Sequence, residues 1–415
     1  MRPNALHRFS VAAILVGSAF ASQAYADTIK IAFIDPLSGP FAPVGQNQLK
    51  TFQLVADQAN SGKWAGEHKF EVVGFDNKGS PQESLTQLKA VIDQGYRFIT
   101  QGNGSGVGLA LLDAINKHNE RNPGKELIYL NYAAVDPDMT NSKCSFWHFR
   151  FDANSDMKME ALTSYMAKDK KIKNVYIIGQ NYAFGQSVSK SAKEYLARKR
   201  PDIKIVGDDL HPIGQVKDFS PYVAKIKAAG ADTVITGNWG ADLSLLIRAA
   251  KDADLKANFY TYYAVTTGVP TAMGAAGADR VKVVGNWLPN NETFSGKDLV
   301  ESFKKKYNDD FYTMQGHSAI TMLAKAIKSN NTLDPTKLAF AMEGMKVAGL
   351  NGEVMMNKTD HQLQQNLYIG SWTKINGKDV KYDQENTGYG WKIEQKIDAY
   401  VAAQPTSCQM KRPGK

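Results

Sequence analysis

The sequence predicts an α/β protein built as two doubly wound, parallel-sheet lobes. Short apolar runs alternate with amphipathic helical patterns, the signature of strands joined through helical crossovers. That rhythm breaks over residues 144–156 and then restarts. The chain has 415 residues, whereas single cores stop growing at roughly 250–300 residues.

The elements follow in order. Ile29, Ile31, Phe33 and Ile34 mark a strand over 29–34, and Phe52, Val55, Ala56 and Ala59 share one face of a helix over 45–61. A strand at 70–75 precedes a helix at 81–95, where Leu85, Leu88 and Ile92 are spaced for burial. A strand at 97–100, a helix at 109–119 and a strand at 126–130 complete the first round. The second round sets helices at 157–168, 187–198, 221–228 and 243–253 against strands at 174–178, 203–207, 233–236 and 259–263. Helices at 295–307, 316–328 and 335–342 follow, then a strand-like stretch at 365–374 and a polar tail.

Residues 1–26 have the layout of a secretory signal peptide. Arg2 and Arg8 open it, residues 9–21 are apolar, and Ala24-Tyr25-Ala26 is a small-x-small exit. The apolar run is too short to cross about 30 Å of hydrocarbon. No cysteine follows it to carry a lipid anchor. Cleavage after Ala26 leaves 389 residues in an exported protein with a net charge of +7. In an oxidising compartment Cys144 and Cys408, the only cysteines, are expected to pair and staple the tail to the body; the alternative is two free thiols.

The positive charge does not mark a nucleic-acid partner. The basic runs at 168–173 and 304–306 sit at ends of helical patterns among acids, which fits solvated helix termini. Catalytic patterns are missing too. Gly102-Asn103-Gly104-Ser105-Gly106-Val107-Gly108 follows a strand and opens a helix, but it lacks G-x-G-x-x-G spacing and follows the third strand of its lobe. Its backbone N–H groups at a helix start suit an anion or a carboxylate; the bland reading is a tight turn. No G-x-S-x-G elbow, P-loop or H-E-x-x-H occurs, so no catalytic residue, cofactor or metal is expected. His148 and His317 read as interior residues, Asp76 as a turn acceptor, Asp35 as a strand-end acid without an evident partner, and Asn291-Glu292-Thr293 as a chance sequon.

Aromatic residues gather where strands end. Tyr182 follows the strand at 174–178, Trp239 follows that at 233–236, and Tyr260, Tyr262 and Tyr263 lie in or after the next. The carboxyl edge of a parallel sheet is where open α/β folds bind ligands, and aromatics there offer flat apolar faces with polar handles.

The opening Ile29-Lys30-Ile31-Ala32-Phe33-Ile34-Asp35-Pro36-Leu37-Ser38-Gly39-Pro40 resembles branched-chain amino-acid-type periplasmic binding proteins, the solute receptors of ABC importers. So do the turn at 102–108, Ala133-Ala134-Val135-Asp136-Pro137, Asn181-Tyr182-Ala183-Phe184-Gly185 and Asp218-Phe219-Ser220-Pro221-Tyr222-Val223. The resemblance implies two lobes joined by three crossovers near 150–154, 285–289 and 358–365, closing on a ligand like a hinge. Lobe I would comprise 27–150 and 286–360, lobe II 151–285 and 361–390, with 391–415 a tail packing back on lobe I. It implies a monomeric periplasmic receptor that hands a small molecule to an inner-membrane permease and ATPase. Asn103, Gly104 and Ser105 would hold the ligand carboxylate, with Ala133, Ala134 and Val135 in the next loop. Tyr182, Trp239 and Tyr263 would contact the ligand from lobe II, and Phe41 and Val44 would flank its side-chain pocket.

Three departures bear on the ligand. Amino-acid receptors of this family carry hydroxyls where this chain has Gly104 and Val135, and an acid that pairs with the ligand ammonium where it has Tyr263. A buried ammonium without a carboxylate is costly. The expected ligand is therefore a small carboxylate or amide, with aromatic acids included, ahead of an unmodified branched-chain amino acid. A sensory receptor module and an exported α/β enzyme are the other classes considered.

Overall fold

The computed structural model describes residues 27–414; the expected signal peptide and its cleavage after Ala26 lie outside them. The first round of the chain forms β1 (Thr28–Asp35), α1 (Ala42–Ser61), β2 (Lys69–Asp76), α2 (Pro81–Asp93), β3 (Phe98–Gln101), α3 (Ser105–Arg121), β4 (Ile128–Asn131) and β5 (His148–Arg150). The second forms α4 (Ser155–Met166), β6 (Asn174–Gln180), α5 (Ala183–Lys199), β7 (Lys204–His211), α6 (Ser220–Ala228), β8 (Thr233–Thr236), α7 (Gly240–Asp252), β9 (Asn258–Thr261), α8 (Val269–Met273) and β10 (Val281–Gly285). The remainder supplies α9 (Lys297–Tyr307), α10 (Met314–Asn330), α11 (Pro335–Met342), β11 (Lys346–Gly349), β12 (Gly352–Met356), β13 (Leu363–Gln364), β14 (Leu367–Lys374), β15 (Tyr389–Ile397) and α12 (Ala399–Ala402).

Lobe I holds a five-stranded sheet in the order β2-β1-β3-β4-β5, parallel throughout. One face buries Ile31, Phe33 and Phe98 against Phe52 of α1 and Ile320 and Leu323 of α10. The other buries Ile34 and Ile99 against Leu111 and Ile115 of α3. Both faces are covered, so the strands read as nearly unbroken apolar runs. Lobe II holds a seven-stranded sheet in the order β15-β14-β10-β9-β8-β6-β7.

That second sheet departs from the all-parallel expectation. β14 runs antiparallel to β10, and β15 antiparallel to β14, which caps a parallel sheet with an antiparallel ribbon. β15 lies where a tail was expected. As an edge strand it alternates buried Trp391 and Ile397 with the half-exposed charges Lys392, Glu394 and Lys396, and this dilutes its apolar signal. β13 pairs with β12 beside lobe I and so carries that lobe past residue 360. Beyond α12 the chain does return to lobe I. Cys144 and Cys408 are bonded across 264 residues, Thr406 Oγ1 donates to Thr140 O at 2.9 Å, and Arg412 Nε donates to Glu343 at 2.8 Å.

The chain passes between the sheets after β5, after β10 and between β13 and β14. Amide side chains bind these passages side by side. Gln362 accepts from Arg150 Nε at 2.7 Å and donates to Asp152 O at 2.7 Å. Gln365 donates to Phe151 O at 2.8 Å and accepts from Asn286 at 3.2 Å. Asn351 donates to Asn286 O at 2.6 Å.

Replacing Cys144 and Cys408 together by Ser should lower the free energy of unfolding by at most ~6 kcal/mol, the loop-closure value for so long a span. Denaturant titration of the oxidised protein and the variant checks this.

Candidate functional site

In lobe I, β1 lies between β2 and β3, so the connections from β1 and β3 leave in opposite directions and open a crevice at their carboxyl ends. Lobe II repeats this between β6 and β8. The two crevices face each other across a cleft whose walls come from both lobes.

The lobe I wall is the turn between β3 and α3. Gly104 has φ +90°, a left-handed conformation that favours glycine, and a Cβ on Gly102 would come within 2.6 Å of the Tyr132 ring. Asp35, buried at the end of β1, accepts from Gly102 N at 3.0 Å, Asn103 N at 2.9 Å and Tyr132 Oη at 2.6 Å. Burial outweighs these bonds and raises its carboxyl pKa to about 7. The bonds hold the turn so that the first N–H groups of α3, from Ser105 onward, have no intrahelical partner. Ser105 Oγ is taken up by Asp136 N at 3.1 Å, which fixes the neighbouring loop.

The lobe II wall is aromatic. Trp239 Nε1 donates to Tyr182 Oη at 2.9 Å, which leaves the Tyr182 hydrogen for another acceptor. Phe184, Tyr262 and Tyr263 continue the wall, and Tyr262 Oη donates to Ser155 O at 2.8 Å. Behind Tyr263 lies Lys158, whose Nζ is 2.7 Å from Asp152, 3.4 Å from Tyr263 Oη and 4.5 Å from the Tyr263 ring centroid. Both members of the ion pair are buried.

Of the residues the sequence singled out, Val44, Asn103, Gly104, Ser105, Ala133, Val135, Tyr182, Trp239 and Tyr263 line the cleft. Two do not. Ala134 is buried behind the wall, its methyl turned toward α3 at Gly108 and its carbonyl accepting from Asn131 Nδ2 at 2.8 Å. Phe41 closes the cleft instead of lining it. Its ring lies 4.2 Å from that of Trp239 and is approached closely by Gly214 and Gly240 of lobe II. Asp76 caps a turn as expected, accepting from Leu37 N and Lys78 N at 2.9 Å each. Asn291 is buried, and its amide donates to Asn351 at 2.8 Å.

Sequence reasoning missed Lys158, which sits in the first turn of α4 and reads locally as a solvated helix lysine. It also missed Gln48, Trp287 and Gln315 on the wall. The Trp287 Nε1 and Gln315 Oε1 atoms are buried without a protein partner. Among the described residues that line the cleft, Lys158 is the only charged one, and no acid reaches the surface.

The profile of a family described as periplasmic binding protein matches residues 28–379. The Leu/Ile/Val-binding protein homolog 4 of Brucella abortus is 31% identical over 97% of this chain and 98% of its own length. A closed crystal structure of a leucine-, isoleucine-, valine-, threonine- and alanine-binding protein from Brucella ovis superimposes with a TM-score of 0.81 at 31% identity, covering 94% of this chain and all of that one. An ABC-transporter solute-binding protein of R. palustris, solved with benzoate, shares the fold at a TM-score of 0.76 and 20% identity, covering 92% and 99% of the two chains.

Lys158→Met should destabilise the protein by about 3–5 kcal/mol, because it strands Asp152 as a buried unpaired charge. Adding Asp152→Asn should recover most of that loss. Chemical denaturation of the two variants separates the outcomes.

Proposed function

The chain belongs to the periplasmic binding protein family, and on that premise we propose that its ligand is a small carboxylate without an α-ammonium group, with aromatic acids the best fit. The protein is an extracytoplasmic solute receptor of the kind that serves ABC importers. Closure of the two lobes would bury the ligand, and the closed receptor would dock on a permease and its ATPase in the inner membrane after cleavage at Ala26.

One observation carries the ligand class: the cleft lining contains a lysine and no acid. A buried ammonium needs a carboxylate partner, and none is exposed to meet it. A carboxylate meets the free N–H groups at the start of α3, where a helix terminus favours negative charge. Tyr182, Trp239 and Tyr263 supply a flat apolar surface for a ring or chain. The benzoate bound by the R. palustris protein is a ligand of this class.

The second reading is a branched-chain amino acid, favoured by the names of the relatives at 31% identity. Calorimetry on ligand-stripped protein distinguishes the two. Benzoate-type acids are expected to bind and leucine to bind at least tenfold more weakly; tight leucine binding would overturn the proposal. Mass spectrometry of whatever copurifies then names the molecule.

A further inference from the structure

Beneath the lobe I wall the hydrogen atoms do not match the acceptors. Tyr132 Oη lies 2.6 Å from Asp35 Oδ2 and 2.8 Å from Gln48 Oε1, and a phenol has one hydrogen to give. Asn103 Nδ2 donates to both Gln48 Oε1 at 2.5 Å and Tyr132 Oη at 3.2 Å, which casts the Gln48 atom as the carbonyl oxygen. With Asp35 ionised, one of the two short contacts of Tyr132 is empty of hydrogen. A proton on Asp35 Oδ2 fills both: the acid donates to Tyr132, and Tyr132 donates to Gln48, which lines the cleft.

The same acid sits under the N–H groups offered to a carboxylate. Ionised, Asp35 would place a second negative charge behind an anionic ligand in a site of low dielectric. We propose that Asp35 is the proton-carrying brace of the carboxylate turn, and that the receptor takes up one proton on Asp35 Oδ2 as it binds an anionic ligand. The proton comes from solvent, the ligand stays ionised, and the Tyr132 hydroxyl turns from Asp35 to Gln48 with no covalent bond made or broken. This inference rests on the carboxylate reading of the cleft and adds to it a positioning residue and a pH response.

The surroundings agree. The ionisable neighbours are Tyr129 of β4 and Tyr132 just after it, both pushed well up by burial and so neutral. α1, β3 and the turn contribute only the amides Gln48, Gln101 and Asn103. Asp76, opposite Asp35 in the β2 register, is partly buried, and the Ser38 hydroxyl with the N–H groups of Leu37 and Lys78 holds its carboxyl below the ordinary value. No cation pairs with Asp35 among the described residues. Burial accordingly raises its carboxyl pKa to about 7 in the free protein, against the lowering effect of the bonds from Tyr132, Asn103 and Gly102. A ligand anion raises it further, so uptake is largest above neutrality and affinity falls as pH rises.

Titration calorimetry in two buffers of different ionisation heat counts the protons, with benzoate and leucine as probes. Both carry an ionised carboxylate across the range used. For the wild type we expect close to one proton taken up per carboxylate bound at pH 8, and an affinity loss of up to about 30-fold between pH 6 and pH 8.5. Asp35→Asn keeps a donor toward Tyr132 but gives up the bond from Gly102 N; it should take up no proton, and the affinity it retains should not change with pH over this range. Binding of either probe by the wild type without proton uptake and without a pH response overturns the inference, whether or not the variant folds. Leucine bound with proton uptake would overturn the ammonium-free ligand and leave Asp35 standing. Failure of both probes to bind would remove the carboxylate reading and this inference together.

Discussion

The chain crosses three times between its two lobes, and its backbone polar groups must stay satisfied where it does so. Side-chain amides meet that constraint. Gln362 and Gln365 each bond the first crossover, and Gln365 also receives Asn286 from the second. Arg150, wholly buried, anchors the arrangement through Gln362 Oε1 and the carbonyl of Asp136. These bonds run from flexible side chains to neighbouring strands rather than along a continuous sheet. Arg150 and Gln362 add one isolated parallel backbone bridge, so the passages are tied at points and not by a continuous sheet.

The site follows from the placement of the two sheets. Each lobe reverses its direction of winding at one point, and the hinge turns these points toward each other. One wall is then a helix terminus held by a buried acid, the other a cluster of tyrosines and a tryptophan with a buried ion pair behind it. The walls differ in chemistry. The first offers directed N–H groups, the second apolar area, and Phe41 joins them by reaching from lobe I onto Trp239 of lobe II. A ligand satisfying both walls stabilises the closed form in proportion to its preference for that form.

The proposed ligand class turns on the buried charges. Lys158 and Asp152 neutralise each other inside lobe II, and Asp35 is charged or neutral according to its proton. The cleft therefore presents no fixed negative charge at its surface. A receptor for zwitterions needs one, and a receptor for simple acids does not.

The sequence by itself determined the two α/β lobes and the loops that carry the site. Alternating apolar runs encode strands covered on both faces, and glycine-rich or aromatic loops after β3, β6 and β8 are visible without coordinates. It also showed the cysteine pair, since two cysteines in an exported chain have only each other. Tertiary structure alone decided the rest. β15 is an edge strand with a polar outer face, so its pattern resembled a tail. Lys158 and Asp35 look like an ordinary helix lysine and a strand-end acid until the fold buries one beside Asp152 and the other beneath the turn. Burial and charge pairing arise between residues distant in the chain, and local periodicity records which face of an element is apolar but not which charged side chain that face will enclose.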